Sequence, residues 1–480
     1  MICFIKQLVV RSRIRHMNIM LPMTIMALVL LAACDLKGTE TDQAAKAVVN
    51  ITPPNILLII SDDHAWNDYG FMGHEFIRTP TLDRLAKEGV TFKRGYVPTA
   101  LCRPSLATIA TGFYASQLGI TGNDPTHRME GGKESELYQQ LRGQIIDKID
   151  RVQTLPELLR AKGYVSLQTG KWWEGSYQRG GFDEGMTRGF PEPGGRHGDD
   201  GLKIGREGLD TITHFIDRAS AENKPFFVWY APFMPHSPHT PPERILENYR
   251  NKELPLSIAK YYAMVEWFDE TNGQLFDHLE KKGLKENTLV VYVADNGWVT
   301  DPERTNRFLP RSKQSPDEKG VRTPIMYSLP GQFEPQMRPE PASSIDIVPS
   351  ILAAAGIDIP AGLPGENLYP SMRQQTPITR GSIYGEGFAH DVADIDDPEA
   401  SLLYRWVIEG KWKLILSYDG KNESYQKYHE DVLAGPRLYD LSIDEEESTN
   451  LASEHPELIR QLADKLTAWY PVKTRKILQN

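Results

Sequence analysis

The feature that most constrains this chain is one unit, used several times over its first three hundred residues. Each unit is a helical pattern, a glycine, a short apolar strand and a polar cluster. Asn55 to Ile60 is a continuous apolar run, as a strand covered on both faces requires, and it stops at Ser61-Asp62-Asp63-His64. Pro80 to Lys87 reads as a helix with proline near its first position and Gly89 as its stop. Pro156 to Lys162 repeats that pattern, closed by Gly163, and the strand Tyr164 to Gln168 then delivers Gly170-Lys171-Trp172-Trp173. A helix over Leu209 to Ala219 precedes the strand Phe226 to Tyr230 and Pro235-His236. Another over Met264 to Lys282 precedes the strand Thr288 to Val293 and Asp295-Asn296-Gly297. Alternation of this kind implies right-handed crossovers and an α/β fold, a large mainly parallel sheet flanked by helices. Such sheets bind ligands beyond the carboxyl ends of their strands. Asp62, Asp63, Lys171, His236, Asp295 and Asn296 all fall just past a strand end, and that convergence marks an active site.

The Gly- and Pro-rich stretch from Gly356 to Pro370 reads as the close of this unit, which gives a catalytic domain over residues 53–375. Residues 376–480 then form a smaller C-terminal antiparallel-sheet subdomain. There Trp406 to Leu416 alternates like a hairpin strand, and Pro456 to Trp469 reads as a closing amphipathic helix. Glycines crowd Gly175 to Gly205, around Arg196-His197-Gly198-Asp199-Asp200, as in a long loop over the site. With 40% hydrophobic and 25% charged residues the composition is that of a globular protein, and a formal charge of −10 excludes a nucleic-acid binder.

The chain begins with a basic leader, Lys6, Arg11, Arg13 and Arg15, ahead of an apolar stretch from Leu21 to Ala33 that is too short to span a bilayer. It ends Leu30-Leu31-Ala32-Ala33-Cys34, which resembles the bacterial lipoprotein box. That implies a signal peptide over residues 1–33, a lipid on Cys34 and a polar tether over residues 34–52. The expectation is an exported cell-envelope lipoprotein that touches the membrane through its lipid anchor only. Of three cysteines, Cys3 leaves with the signal and Cys34 carries lipid, so only Cys102 stays in the body. Exported proteins normally use cysteines in pairs, so Cys102 is either a buried small hydrophobe or a chemical group.

Its neighbours are chemical. In Leu101-Cys102-Arg103-Pro104-Ser105-Leu106, Pro104 suits a first helical turn and places Cys102 at a helix mouth, where free N–H groups favour an anion or a nucleophile. Asp62, Asp63, Asp295 and Asn296 supply hard oxygen donors suited to Ca²⁺ or Mg²⁺. Lys171, His236 and Lys313 add the positive or donor groups that a tetrahedral oxyanion needs.

Taken together and in this order, these segments resemble the formylglycine-dependent sulfatases of the alkaline phosphatase superfamily. The signposts are Asn55–Asp63, Cys102–Gly112, Gly170–Trp173, Gly181-Phe182-Asp183, Ala231–His239, Asp295–Gly297, Lys313–Pro324 and Leu438-Tyr439-Asp440-Leu441 through Asn450-Leu451. The resemblance implies hydrolysis of an organic sulfate ester, carried on a small molecule or a glycan. It implies that a maturation enzyme oxidises Cys102 to formylglycine. It also implies a metal, Ca²⁺ before Mg²⁺, on Asp62, Asp63, Asp295, Asn296 and residue 102, with Lys171, His236 and Lys313 on the sulfate. Two positions depart from the family pattern. Leu106 stands where the Cys-x-Pro-x-Arg signal has arginine, and Trp173 stands where Gly-Lys-Trp-His has histidine. Arg103 is the available substitute cation, although at +1 it points about 100° around the helix and must reach back. His197 and His239 are the candidates for the missing imidazole. The rival readings are a phosphate or phosphonate ester hydrolase on the same fold, and a non-catalytic anion- or glycan-binding lipoprotein.

Overall fold

The computed structural model describes residues 53–250, 252–418 and 435–478. The leader, Cys34 and the tether lie outside the described residues. Six strands carry the main sheet: β1 (Asn55–Ser61), β2 (Val90–Tyr96), β3 (Val165–Gly170), β4 (Phe226–Ala231), β5 (Thr288–Ala294) and β6 (Arg322–Ser328). Their order is β2-β6-β5-β1-β4-β3, and three short strands extend the two edges. β1 pairs parallel with both β4 and β5, and β3 pairs parallel with β4. β6 alone among the six runs backwards, antiparallel to both β5 and β2. The helices include α1 (Pro80–Glu88), α2 (Cys102–Thr111), α3 (Leu155–Arg160), α4 (Asp210–Ala221), α5 (Leu256–Lys281) and, near the end, α6 (Pro456–Trp469), with others between them.

The apolar run of β1 is continuous because both of its faces are covered. Ile56, Leu58 and Ile60 join the core with Leu106 and Ile109 of α2 and Leu155 and Leu159 of α3. Leu57 and Ile59 join the opposite core with Leu82 and Leu85 of α1, Ile212 and Phe215 of α4, and Met264 and Phe268 of α5. A period of two along the strand therefore feeds two hydrophobic layers.

Two element boundaries differ from the sequence expectation. α5 begins eight residues before Met264, because Ala259 and Ala263 pack on Ile245, Leu246 and Tyr249 of a short neighbouring helix. Trp406 to Leu416 is not one strand. It crosses a tight turn whose Gly410 has φ +58°, a left-handed backbone suited to glycine. The second sheet is accordingly antiparallel, in the order β7 (Ile383–Phe388), β8 (Leu402–Glu409), β9 (Trp412–Ser417), β10 (Arg437–Asp440). It docks on the main unit through apolar contact, with Tyr404, Trp406 and Ile415 in the same core as β1. Ionic pairs add to that contact. The fully buried Lys413 lies 3.0 Å from Glu318 and 2.8 Å from Glu447.

Candidate active site

The carboxyl ends of β1, β3, β4 and β5 all open on one edge of the sheet, and the loops leaving them build the site. β1 and β5 run side by side up to the pair Ser61–Ala294, so Asp62 and Asp63 emerge next to Asp295 and Asn296. Backbone bonds lock the two turns together: Asp295 N donates to Ser61 O at 2.8 Å and His64 N to Asn296 O at 3.0 Å. Asp63 takes φ +62°, a left-handed conformation that aspartate tolerates better than most residues. Its own N–H donates to Asp295 Oδ1 at 3.1 Å. β3 ends at Gly170, where a Cβ would stand 1.9 Å from Ala231 O of the adjacent strand. Only glycine fits that approach, and the turn it permits carries Lys171 inward.

The charged groups meet in the interior. Lys171 Nζ is 2.8 Å from Asp62 Oδ1, and Lys313 Nζ is 2.6 and 2.8 Å from the two oxygens of Asp63. Asp62, Asp63, Asp295, Asn296 and Lys171 are each 2% exposed or less. Asn296 Nδ2 donates to Asp63 Oδ1 at 2.7 Å, and His236 Nε2 lies 3.4 Å from Asp63 Oδ2. Cys102, the first residue of α2, closes the group: its sulfur, one oxygen each of Asp62 and Asp63, and one ring nitrogen of His236 all lie within 4.8 Å of one another. Lys171 Nζ also stands 5.4 Å from the centre of the Phe233 ring, and Lys313 Nζ 5.7 Å from that of Trp298.

Burial dominates the protonation of these groups. It holds Asp62 well above the usual carboxylate range against the pull of Lys171, and it raises Asp295 in the same way. Burial alone would lower both lysines, yet the carboxylates around them more than offset it, so Lys171 and Lys313 stay charged. The Cys102 thiol is pushed up to about 12 by burial, with both lysines opposing. His236 is driven far below its ordinary value by burial and by Lys171 and Lys313. Its Nδ1 sits 2.5 Å from the Ser237 carbonyl, which can only accept, so Nδ1 carries the proton and Nε2 faces the carboxylates.

Two oxygens in this nest, Asp295 Oδ2 and Asn296 Oδ1, are buried without a hydrogen-bond partner, and Asp62 Oδ2 has only the Lys171 ammonium beside it at 2.8 Å. Buried polar atoms are rarely left so, and oxygen donors on Asp62, Asp63, Asp295 and Asn296 at two adjacent strand ends fit a divalent cation of the calcium or magnesium class.

Asp62, Asp63, Lys171, His236, Asp295, Asn296, Lys313 and Cys102 are thus brought together. Arg103 is not, and the expectation that it replaces the missing cation is corrected. Its guanidinium is fully buried and turned onto Glu174, with Nε–Oε1 at 2.8 Å and Nη2–Oε2 at 2.6 Å. A two-pronged pair of this kind neutralises the charge and fixes its direction onto Glu174. Leu106 faces the main apolar core with Ile109 and Val348. Of the two candidate imidazoles, His197 packs on Trp173 at 5.1 Å and on Phe233 at 5.5 Å. His239 lies across the site between Tyr261 and Trp298, with both ring nitrogens buried and unpartnered. Sequence reasoning missed Glu174, Asn123 and Arg196. Glu174 follows directly on Trp173, but nothing local says that it reaches Arg103. Asn123 Oδ1 accepts from Arg103 N at 3.1 Å, and Arg196 lies over the Trp173 ring at 4.6 Å.

The sulfatase family profile matches residues 54–357, and that of the N-sulphoglucosamine sulphohydrolase C-terminal region matches residues 312–470. Human N-acetylgalactosamine-6-sulfatase is 29% identical over 400 residues, covering 75% of this chain and 73% of its own. Human arylsulfatase A is 28% identical over 475 residues, covering 85% of this chain and 86% of its own. Among solved structures, one bound to its substrate D-glucosamine-2-N,6-O-disulfate superposes with a TM-score of 0.64 at 20% identity, over 87% of this chain and 97% of that one.

Proposed function

The chain belongs to the sulfatase family and is a sulfuric ester hydrolase, and from that premise we propose that it removes sulfate from a sulfated carbohydrate through the site around residue 102. In this reading residues 53–375 are the catalytic domain and residues 376–480 the C-terminal subdomain. Cys102 is converted by a maturation enzyme to formylglycine. The state of the thiol supports this: held near 12, it carries almost no thiolate at neutral pH and is a poor nucleophile as it stands. The observation that carries the proposal is the pair of unpartnered oxygens on Asp295 and Asn296 beside Asp62 and Asp63, whose carboxylates face two buried ammonium groups.

Asp62, Asp63, Asp295 and Asn296 hold the cation, with Ca²⁺ preferred over Mg²⁺ because the donors are mostly carboxylates on loops. When bound, that ion supplies Lewis-acid stabilisation of developing negative charge, and a formylglycine hydrate supplies the attacking hydroxyl. The chain's own groups do the rest. Lys171 and Lys313 remain protonated and donate to sulfate oxygens in a site shut off from water, where such bonds are strongest. His236 presents an unprotonated Nε2 and is placed to take up and return a proton near the leaving oxygen. Three carboxylates, two ammonium groups and one dication leave one net positive charge, which matches a sulfate monoester anion better than a doubly charged phosphate monoester.

The test is hydrolysis of matched sulfate and phosphate monoesters by the purified protein, together with the mass of the tryptic peptide containing residue 102. Sulfate release, an aldehyde at residue 102 and loss of turnover in Cys102→Ala are expected. Preferential phosphate release points to the phosphate ester hydrolase. An unmodified thiol with ligand binding but no turnover points to a non-catalytic binding protein. We further place the protein in a bacterial cell envelope, anchored by a lipid on Cys34. Palmitate label should enter the wild type and not Cys34→Ser, and absence of label from the wild type removes the anchor.

A further inference from the structure

The mouth of the site carries a cation that neither the family pattern nor the reaction accounts for. Arg196 comes from the glycine-rich loop after β3, and its guanidinium lies 4.6 Å over the indole of Trp173, the residue that stands in place of the family's histidine. The same indole is backed by His197 at 5.1 Å, and Trp173 itself is 3% exposed. Trp173 is therefore a platform on which a cation is laid.

The platform borders the reacting centre on two sides. His197 packs on Phe233, and Phe233 stacks on His236 at 4.3 Å and lies beneath the Lys171 ammonium. On the other side Arg196 Nε is 3.0 Å from Asp124 Oδ2, and the adjacent Asn123 accepts from the backbone N–H of Arg103, next to Cys102.

The charges at this place do not balance. Asp124 is 1% exposed and shared by two guanidinium groups, those of Arg142 and Arg196. The Arg142 side chain is 5% exposed, and its second arm is spent on the backbone of Arg196, Nη2 to O at 2.7 Å. Arg142 thus positions the loop. Arg196 is different. Its side chain is 41% exposed, it spends only Nε and Nη2 on Asp124, and Nη1 has no hydrogen-bond partner among the described residues. One carboxylate between two arginines leaves about one positive charge, and the exposed half of Arg196 is where that charge meets solvent. An aromatic platform fixes the guanidinium plane and lowers the cost of holding it ready.

We propose that Arg196, held on Trp173 by Asp124 and Arg142, is a specificity subsite for a second anionic group of the substrate, a carboxylate or a second sulfate on the saccharide that bears the scissile ester. This inference rests on the sulfatase reading and narrows its substrate class to polyanionic saccharides. The chemistry is that of a guanidinium fork with one free edge, which suits the paired oxygens of a carboxylate or sulfate. It selects by charge at a fixed distance from the sulfur, and a substrate with the scissile sulfate alone leaves the fork facing water.

The experiment compares kcat and KM for three substrates: a neutral saccharide with one sulfate ester, the same saccharide with a neighbouring carboxylate, and the same saccharide with a second sulfate. Each is measured with wild type, Arg196→Gln and Arg196→Lys. For the subsite, Arg196→Gln should lower kcat/KM by about 10–100-fold on whichever dianionic substrate the fork accepts, mostly through KM, with a markedly smaller loss on the singly charged one. Arg196→Lys should recover part of that difference. The carboxylate and disulfate arms show which anion is used. Equal losses on all three substrates, or a loss carried by kcat, would show that Arg196 only braces the loop and would overturn the proposal. If the wild type turns over none of the three, the proposed activity on these saccharide esters falls, and the subsite is then judged by titration calorimetry with both the carboxylated and the disulfated saccharide. Binding that Arg196→Gln does not weaken overturns it there as well.

Discussion

Removing the Arg103 guanidinium would leave the Glu174 carboxylate alone at a place where its side chain is 2% exposed. The two are joined by a fork at 2.8 and 2.6 Å, and Arg103 also donates through Nη1 to the Asn123 carbonyl at 3.4 Å. Breaking a buried pair by deleting one partner typically costs about 3–5 kcal/mol, because the remaining charge keeps its desolvation and loses its compensation. Arg103→Ala should therefore lower the urea midpoint of unfolding, followed by tryptophan fluorescence, by an amount equivalent to about 3–5 kcal/mol. Glu174→Leu alone should cost a similar amount. The double variant Arg103→Met with Glu174→Leu removes both charges and should recover most of it, so the two single effects fall well short of adding. Turnover per folded molecule should change little in the double variant, since the two charges are spent on each other. The sequence alone suggests the opposite outcome for Arg103: intact folding with a hundred- to thousandfold loss in kcat, as when an oxyanion donor is removed. An Arg103→Ala protein with a wild-type midpoint and that kinetic defect would refute the structural argument.

Leu106→Arg should be destabilising and should not improve turnover, because it drives a cation into the apolar core around Ile109 and Val348; a more active, equally stable variant would contradict this. Calcium should raise the melting temperature of the wild type and chelation should lower it, by a shift equivalent to about 2.7 kcal/mol of stability at a hundredfold excess over Kd, with Asp295→Ala losing the response; a wild type indifferent to both would remove the cation. Glu386 supplies a pH test. Burial raises it from 4.5 to about 7 although it accepts the Ser116 N–H at 2.7 Å. The protonated form is thus favoured in the fold, so its contribution is full below the unfolded value and is lost as pH rises through about 7, at up to roughly 1.4 kcal/mol per pH unit. Melting curves at pH 5 and pH 8 should show a smaller alkaline loss for Glu386→Gln than for wild type, and parallel losses would rule this out.

What the sequence determines by itself is local and periodic. Asn55 to Ile60 cannot be half-exposed, Gly170 follows directly on a strand, and the polar residues after each strand collect at one sheet edge because parallel crossovers leave them no other place. That is enough to assemble Asp62, Asp63, Lys171, His236, Asp295 and Asn296. Cys102 enters as the one cysteine left in the body, with Pro104 indicating the helix mouth, and the resemblance to a family supports Lys313. Direction in the third dimension is another matter. The reversed β6, the fork of Arg103 on Glu174 71 residues away, and the laying of Arg196 on Trp173 each depend on contacts between distant segments. A guanidinium on a long flexible stem goes to whichever buried carboxylate needs it most, and burial is created by packing rather than by spacing along the chain. Arg103 is next to Cys102 in sequence, yet its charge serves Glu174, and only the tertiary structure could decide that.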